Sequence, residues 1–75
     1  MILHKVLLFG PLRDKFGSNQ IDVDMPENST VEALLLKLEV DPNFVKVAVD
    51  DEIVEISMQL STPSEIALLP PVSGG

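Results

Sequence analysis

The most chemically distinctive residues of this sequence are the two glycines at its end, Gly74 and Gly75. Because they have no Cβ atoms, they place the terminal carboxylate on a segment narrow enough to enter an active site that excludes other residues. An ionised carboxylate is a poor acyl donor, because oxide is a poor leaving group. Adenylation by ATP would activate the carboxylate. Sulfide could then displace AMP and leave a thiocarboxylate on Gly75. The pair is therefore compatible with a carrier chemistry that another protein must activate, and the residues around it decide between this and a simple terminus.

The residues before this pair favour a presented tail, although glycine is also common in fraying termini. Ile66–Leu69 is a short apolar run, typical of a buried strand. Pro70-Pro71 ends that strand, because proline has no N–H to donate and fixes its own φ. The last four residues show no hydrophobic periodicity. We therefore predict a folded domain over 1–71 and a flexible tail over 72–75.

The other side chains form no recognisable catalytic or metal-binding pattern. The sequence has no cysteine, and its one histidine, His4, has no acidic or cysteine neighbour, so we interpret it as an ordinary strand residue. Asp50 and Asp51 are adjacent but fit a solvated turn better than a metal site or an acid–base pair. A glycine-rich phosphate loop is also missing. We predict a protein that is not itself an enzyme and binds no metal or cofactor.

Length and charge narrow the class of protein further. Seventy-five residues make one domain, near the lower limit for a self-sufficient core. Twelve acidic and five basic residues give a net charge of −7, which disfavours binding to nucleic acid. This charge suits a basic protein partner or solubility alone. The apolar runs are too short to span a bilayer, and the N-terminus lacks a secretory pattern. We expect a cytoplasmic location and no membrane partner.

The first third of the chain predicts two strands joined through a helical turn. Ile2–Phe9 is strand-like and apolar on both alternating faces, which suggests that one face meets something outside the domain. Gly10-Pro11 ends this strand, and Leu12 and Phe16 are four residues apart, as on one helical turn. Gln20–Met25 alternates apolar and polar residues, as expected of an edge strand blunted by charge. The two strands should form a hairpin.

A single main helix is predicted to cover the sheet. Ser29 and Glu32 form a capping box, and an apolar stripe with helical spacing follows: Val31, Leu34, Leu35 and Leu38. Val45–Val49 and Ile53–Ile56 then predict two strands joined by a turn at Asp50–Glu52. The element order predicts one mixed sheet of four to five strands with the helix on one face. This is an α+β fold, of which the β-grasp is the best-known form.

Two segments resemble one known family. Phe9–Gly17 follows its pattern of an aromatic residue, a small residue, an arginine with an acidic residue and a glycine, and Leu68–Gly75 resembles its ending. This family comprises the small, sulfur-carrier subunits of molybdopterin synthase, which are ubiquitin-like β-grasp proteins. The sequence departs from it at Thr62-Pro63-Ser64-Glu65, where Asp-Gly-Asp-Glu is usual, and at Asp50, where asparagine is common. Proline cannot adopt the positive φ of glycine, so this loop should differ in shape.

The resemblance implies a sulfur carrier in molybdenum cofactor biosynthesis. An adenylyltransferase that resembles ubiquitin-activating enzymes would use ATP to adenylate Gly75, which would then be thiocarboxylated. The tail would enter the large, catalytic subunit of molybdopterin synthase, where the sulfur passes to cyclic pyranopterin monophosphate. Two carriers on a dimer of large subunits would make a heterotetramer.

The resemblance also implies roles for individual residues. Gly75 would carry the sulfur, and Ser73 and Gly74 would thread the tunnel of the large subunit. The residues expected to contact that subunit or to direct the tail into it are Phe9, Ile53, Leu69, Pro70, Pro71 and Val72. Arg13 would either contact a partner or fix its own loop.

Two other interpretations stay open at this point. A sibling carrier would deliver its sulfur for thiazole synthesis or tRNA thiolation. A non-conjugated adaptor with the same fold would bind a protein through its apolar face, without any activation of Gly75. Deletion of Gly75 separates these classes, because the adaptor would not depend on it.

Overall fold

Short strands and helices alternate along residues 1–70, which are the residues that the computed structural model describes. The strands are β1 (Ile2–Leu8), β2 (Gln20–Met25), β3 (Ser29–Thr30), β4 (Lys46–Val49), β5 (Glu52–Val54), β6 (Gln59–Leu60) and β7 (Glu65–Leu69). The helices are α1 (Pro11–Phe16) and α2 (Val31–Lys37), and a 3₁₀ turn covers Pro42–Phe44. The predicted hairpin, helical turn and last strand are confirmed.

The main sheet has five strands in the order β2-β1-β7-β4-β5. β1 runs parallel to β7, whereas β2, β4 and β5 pair with their neighbours in antiparallel fashion. This confirms the predicted mixed sheet and the position of β2 at an edge. β7 therefore lies at the centre of the sheet, and Pro70, which follows it, lies at the middle of one end.

Helix α2 covers one face of this sheet through its apolar stripe. Val31, Leu34 and Leu35 are fully buried and pack in one cluster with sheet residues such as Leu8 and Leu68. Burying one such side chain stabilises a domain by about 1.5–3 kcal/mol. The predicted single helix on one sheet face is confirmed, and its stripe supplies much of the core.

The start of α2 differs from the prediction by one residue. The N-cap is Thr30, whose Oγ1 accepts a hydrogen bond from the Ala33 N–H at 3.1 Å, whereas the Ser29 hydroxyl donates to the Pro26 carbonyl oxygen at 2.7 Å. The reason is a second, two-stranded sheet, in which β3 pairs with β6 and keeps the chain extended through Thr30. The N–H of Glu32 donates to the Ile56 carbonyl oxygen at 2.9 Å, which occupies an early helix donor. The predicted capping box was therefore wrong.

The acidic turn between β4 and β5 is a two-residue hairpin loop. Asp50 and Asp51 have φ values of 50° and 73°, as in a type I′ turn, in which both central residues have positive φ. Asp50 also binds β7, because its Oδ1 accepts from the Glu65 N–H at 3.0 Å and its own N–H donates to the Glu65 carbonyl oxygen at 2.9 Å. The predicted turn is confirmed, with Glu52 already in β5. Asp50 has a structural role in linking this turn to β7.

Within residues 1–70, no group of histidine and acidic side chains is arranged to hold a metal ion.

No helix in the same residues is long and apolar enough to cross a bilayer.

Candidate functional site

The site is built around the point where the chain leaves β7. Leu69 ends the strand and is half-buried, and Pro70 follows it as an exposed residue. A Cβ atom built on Gly10 would come within 3.8 Å of the Pro70 ring, so the β1–α1 connection lies directly against the exit. Gly10 itself has a φ of 57°, a conformation that glycine adopts at little cost. The connection after β1 thus lines one side of the exit.

The sheet face opposite α2 carries an apolar row that crosses four strands. Residues that are partners in adjacent strands share a face. Leu7 pairs with Ala67, which in turn pairs with Ala48, and Ala48 pairs with Ile53. Leu69 lies on the same face, because side chains alternate along a strand and Leu69 is two residues beyond Ala67. We call these five residues the open-face patch.

Exposure and charge distinguish this patch from the rest of the sheet. Ile53, on the edge strand, is 63% exposed, and Leu7, Ala67 and Leu69 are half-buried. At the end far from the exit, charged residues cross the sheet side by side, since Lys5 is the partner of both Asp22 and Glu65. An apolar patch with a charged border has the composition of a protein-binding surface. β1 contributes Leu7 to this patch, and the expectation that one face of β1 meets a partner stays a prediction.

A groove, which we call the tail-side groove, lies beside the exit between α1 and the segment that follows α2. Its cavity measures about 310 Å³ and its lining, which is mostly apolar, includes Phe9, Phe44 and Pro70. Phe44 is 66% exposed and Phe9 is 42% exposed. The 3₁₀ turn presents Phe44, because the Asp41 carboxylate accepts from the Asn43 N–H at 2.8 Å and fixes the turn. The sequence analysis missed Phe44, although Asp-Pro-Asn before an aromatic residue is a capped-turn signal.

The expected partner-binding residues thus fall into two neighbouring regions. Ile53 and Leu69 belong to the open-face patch, and Phe9 and Pro70 line the tail-side groove. Phe9 directly follows Leu8, which pairs with Leu68 near the end of β7. The groove and the Leu69 end of the patch therefore lie at the same end of the sheet, next to Pro70. The remaining site residues lie outside the described residues: Pro71, Val72, Ser73, Gly74 and Gly75.

Arg13 has a backbone role in its own loop. Its N–H donates to the Gly10 carbonyl oxygen at 3.1 Å, and its carbonyl oxygen accepts from the Gly17 N–H at 2.9 Å. The side chain is exposed, and its guanidinium makes no hydrogen bond or ion pair with another side chain of residues 1–70. Main-chain hydrogen bonds therefore hold the loop, and this role does not require an arginine side chain.

His4 is the one polar residue buried in the core within residues 1–70. Its Nδ1 accepts a hydrogen bond from the Ser64 N–H at 3.2 Å, so the proton of the neutral ring lies on Nε2. Nε2 has no hydrogen-bond partner among residues 1–70. Burial lowers the pKa of His4 below its ordinary value, because the charged ring loses its hydration. The ring ties the loop before β7 to β1 and lies apart from the site.

The folded state is expected to lose stability as the pH falls below about 6.5. In that range the unfolded chain protonates His4 while the folded chain keeps it neutral, so unfolding takes up a proton. Above that range both states are neutral and this contribution is constant. The slope approaches at most about 1.4 kcal/mol per pH unit for one proton. Urea unfolding from pH 5 to pH 8 measures it. His4→Gln, which cannot titrate, should show a smaller slope, and an equal slope in both proteins would refute the assignment.

The comparisons with known proteins are consistent with this fold. A model of the ThiS family matches residues 6–75. SAMP1 from Haloferax volcanii is similar in structure, with a TM-score of 0.77 and 26% identity over 97% of this chain and 99% of that chain. A chain of the complex of subunits 1 and 2 of molybdopterin-converting factor from Helicobacter pylori has a TM-score of 0.65 and 23% identity, over 99% of this chain and 100% of that chain. Caldiarchaeum subterraneum ubiquitin has a TM-score of 0.68 and 13% identity, over 99% of this chain and 98% of that chain. No curated protein matches by sequence.

Proposed function

The chain belongs to the ThiS family, and from this premise we propose that it carries sulfur as a thiocarboxylate on Gly75. The observation that supports the proposal most directly is the position of the exit. β7 is the central strand of a ubiquitin-like β-grasp sheet, and its last residue, Leu69, belongs to the open-face patch. A protein that binds this patch would have the segment after Pro70 within reach. The folded body would serve to present the tail.

The proposed chemistry has two balanced steps, both catalysed by an activating enzyme. In the first, the Gly75 carboxylate attacks the α-phosphorus of ATP, a C–O–P linkage forms, and pyrophosphate leaves. In the second, hydrosulfide attacks the acyl carbon, a C–S bond forms, the bond from the acyl carbon to the phosphate oxygen breaks, AMP leaves with that electron pair, and the S–H proton passes to water. The carrier supplies the acyl group but no catalytic side chain. The partner would be an adenylyltransferase that resembles ubiquitin-activating enzymes.

Among the possible acceptors we propose the molybdopterin pathway. The ending Pro70-Pro71-Val72-Ser73-Gly74-Gly75 favours it, and so does the similarity to a protein that is found as a complex of two molybdopterin-converting-factor subunits. The carrier would dock on a large, catalytic subunit in the cytoplasm, in a heterotetramer with two copies of each. There its sulfur would pass to cyclic pyranopterin monophosphate.

The proposal is tested by intact-mass measurement. The full chain is incubated with ATP, a sulfide donor and the activating enzyme of another ThiS-family carrier. That enzyme is first shown to be active on its own carrier. The expected product is heavier by the difference between one sulfur and one oxygen atom. An unchanged mass, when the enzyme converts its own carrier, would refute the carrier function. Transfer of the sulfur to a thiazole precursor or to tRNA, and not to cyclic pyranopterin monophosphate with the large subunit, would overturn the choice of acceptor.

Ile53→Ser is expected to weaken binding of the large subunit by about tenfold. A fully buried isoleucine contributes about 1.5–3 kcal/mol, and a tenfold change corresponds to about 1.4 kcal/mol. Leu3→Ser is the matched control, because Leu3 is 52% exposed on the same sheet face but lies beyond the charged border at Lys5. Titration calorimetry gives both affinities. Equal effects of the two variants would show that the patch is not the interface.

A further inference from the structure

The tail-side groove has the dimensions of a site for one large side chain. Its volume of about 310 Å³ lies at the lower end of the range of about 300–1,000 Å³ that is typical of ligand sites. Val40 contributes to its lining and is buried in the core cluster, and Leu12 and Val45 pack against the same cluster. The core therefore supports the base of the groove, and the groove should persist without a ligand.

Two aromatic side chains are displayed at the groove while much of each remains in water. Phe44 is 66% exposed and Phe9 is 42% exposed. Aromatic rings gain about 0.5–1.5 kcal/mol from edge-to-face or offset contacts beyond the area that they bury. A ring that enters the groove and contacts these side chains would gain both the aromatic contact energy and the buried area. The groove therefore selects an aromatic side chain over an aliphatic one of similar size.

The charges around the groove select what stands next to that ring. The lining includes Glu39 and Asp41, both exposed. Lys15 also lines it, but its Nζ donates to the Glu39 carbonyl oxygen at 2.9 Å and lies 5.7 Å from the centroid of the Phe16 ring. Two carboxylates against one engaged ammonium leave the border acidic, on a chain whose net charge is −7. A cation beside the aromatic ring complements this border.

We propose that the tail-side groove binds a protein segment in which an aromatic residue stands next to an arginine or lysine. The aromatic ring enters the groove and contacts Phe9 and Phe44, and the basic group faces Glu39 and Asp41. Because Pro70 also lines the groove, a protein that takes the tail would meet this site as well, and that statement rests on the proposed function. The binding itself requires no activation of Gly75.

The test uses the full-length, ¹⁵N-labelled chain and three blocked dipeptides as probes. N-acetyl-Phe-Arg-amide is expected to shift the amide signals of residues 9–16 and 39–45. N-acetyl-Phe-Glu-amide should bind roughly twofold to fivefold more weakly, as expected when one exposed charge contact is lost. N-acetyl-Gly-Arg-amide should produce no saturable shift at the groove. The preference for arginine should shrink at 1 M salt, where exposed charges are screened.

Two variants separate the aromatic from the electrostatic contribution. Phe44→Ser should abolish the binding, and since Phe44 is exposed, the fold should be kept. The double variant Glu39→Gln and Asp41→Asn should bind Phe-Arg and Phe-Glu probes equally. Asn at position 41 keeps a side-chain oxygen that can accept from the Asn43 N–H, so the turn is preserved. Ile53→Ser is the matched control on the open-face patch and should leave the binding unchanged.

Several outcomes would overturn the proposal. The absence of shifts at the groove would do so, as would equal binding of Phe-Arg and Phe-Glu to the unaltered chain. Shifts at the groove that depend on protein concentration without any probe would assign it to a second copy. If Val72→Ser alone shifted the Phe44 signal and strengthened probe binding, the occupant would be the chain's own tail.

Discussion

Removal of Gly75 is expected to lower sulfur transfer by at least about 100-fold and to leave the fold unchanged. The truncated chain still ends in a glycine carboxylate, but that carboxylate is withdrawn by up to about 3.3–3.6 Å, the length of one residue. A misplacement of about 1 Å can already cost about 100-fold in rate. The measurement is single-turnover formation of the thiocarboxylate, followed by its transfer to the acceptor.

Two further measurements make this result specific. The melting temperature of the truncated chain should match that of the full chain, because the core is formed by residues before Pro70. The truncated chain should also compete with the full chain for the large subunit, because the open-face patch is intact. Full activity of the truncated chain would exclude Gly75 as the sulfur-bearing residue. Loss of both activity and competition would show that Gly75 contributes mainly to docking.

Leu34→Ala is expected to lower the free energy of unfolding by about 2–5 kcal/mol, the usual cost of truncating a fully buried leucine. Leu34 is 0% exposed and lies in the core cluster between α2 and the sheet. Native domains are stable by about 5–15 kcal/mol, and one as small as this should lie toward the lower end. The substitution should therefore leave a considerable unfolded fraction near the growth temperature of a mesophile.

Leu36→Ala provides the matched control for this effect. Leu36 lies in the same helix, two residues away, but is 69% exposed, so its truncation should change the free energy of unfolding by no more than about 0.5 kcal/mol. Urea denaturation followed by circular dichroism measures both variants. Similar losses in the two would mean that α2 does not pack through the face that contains Leu34.

The regular elements could be predicted because local patterns and long-range packing agree in them. The alternation of Gln20–Met25 matches its position at the sheet edge, with the side chains of Val23 and Met25 buried. The stripe of α2 matches the helix face that meets the sheet. Ile66–Leu69 is apolar throughout because it becomes the central strand. In β2 and α2 the predicted burial matches the fold, whereas in β7 only Ile66 and Leu68 are buried and Ala67 and Leu69 lie half-buried on the other face.

The differences arise where contacts between distant residues decide the local structure. Ser29 and Thr30 both suit a helix cap, and the pairing of β3 with β6, about thirty residues later in the sequence, selects Thr30. β6 is only two residues long, which is too short for any periodicity. Likewise, nothing adjacent to His4 in sequence indicates that Ser64 will donate to it. These contacts depend on the tertiary arrangement and have no local signal.

The candidate site divides in the same way. Phe9, Ile53 and Leu69 could be named from the resemblance, and Ile53 and Leu69 share the open-face patch because the strand registers bring them together. The tail-side groove could not be predicted, because it forms where the β1–α1 connection meets the segment after α2. Its lining residues come from three parts of the sequence, residues 9–15, residues 39–45 and Pro70, which are separated by 24 or more positions, and none of these parts signals a groove on its own.

The central position of β7 has a mechanical consequence. A motor that gripped the residues after Pro70 and pulled would draw β7 along its own axis, between parallel β1 and antiparallel β4. The ladder hydrogen bonds on both sides would then share the load and shear together, whereas bonds at a peeled edge strand break one after another. Under force, the rate of unfolding decides the lifetime of the folded state. We expect a pull on this end to meet its greatest resistance at β7, the first strand that the force reaches.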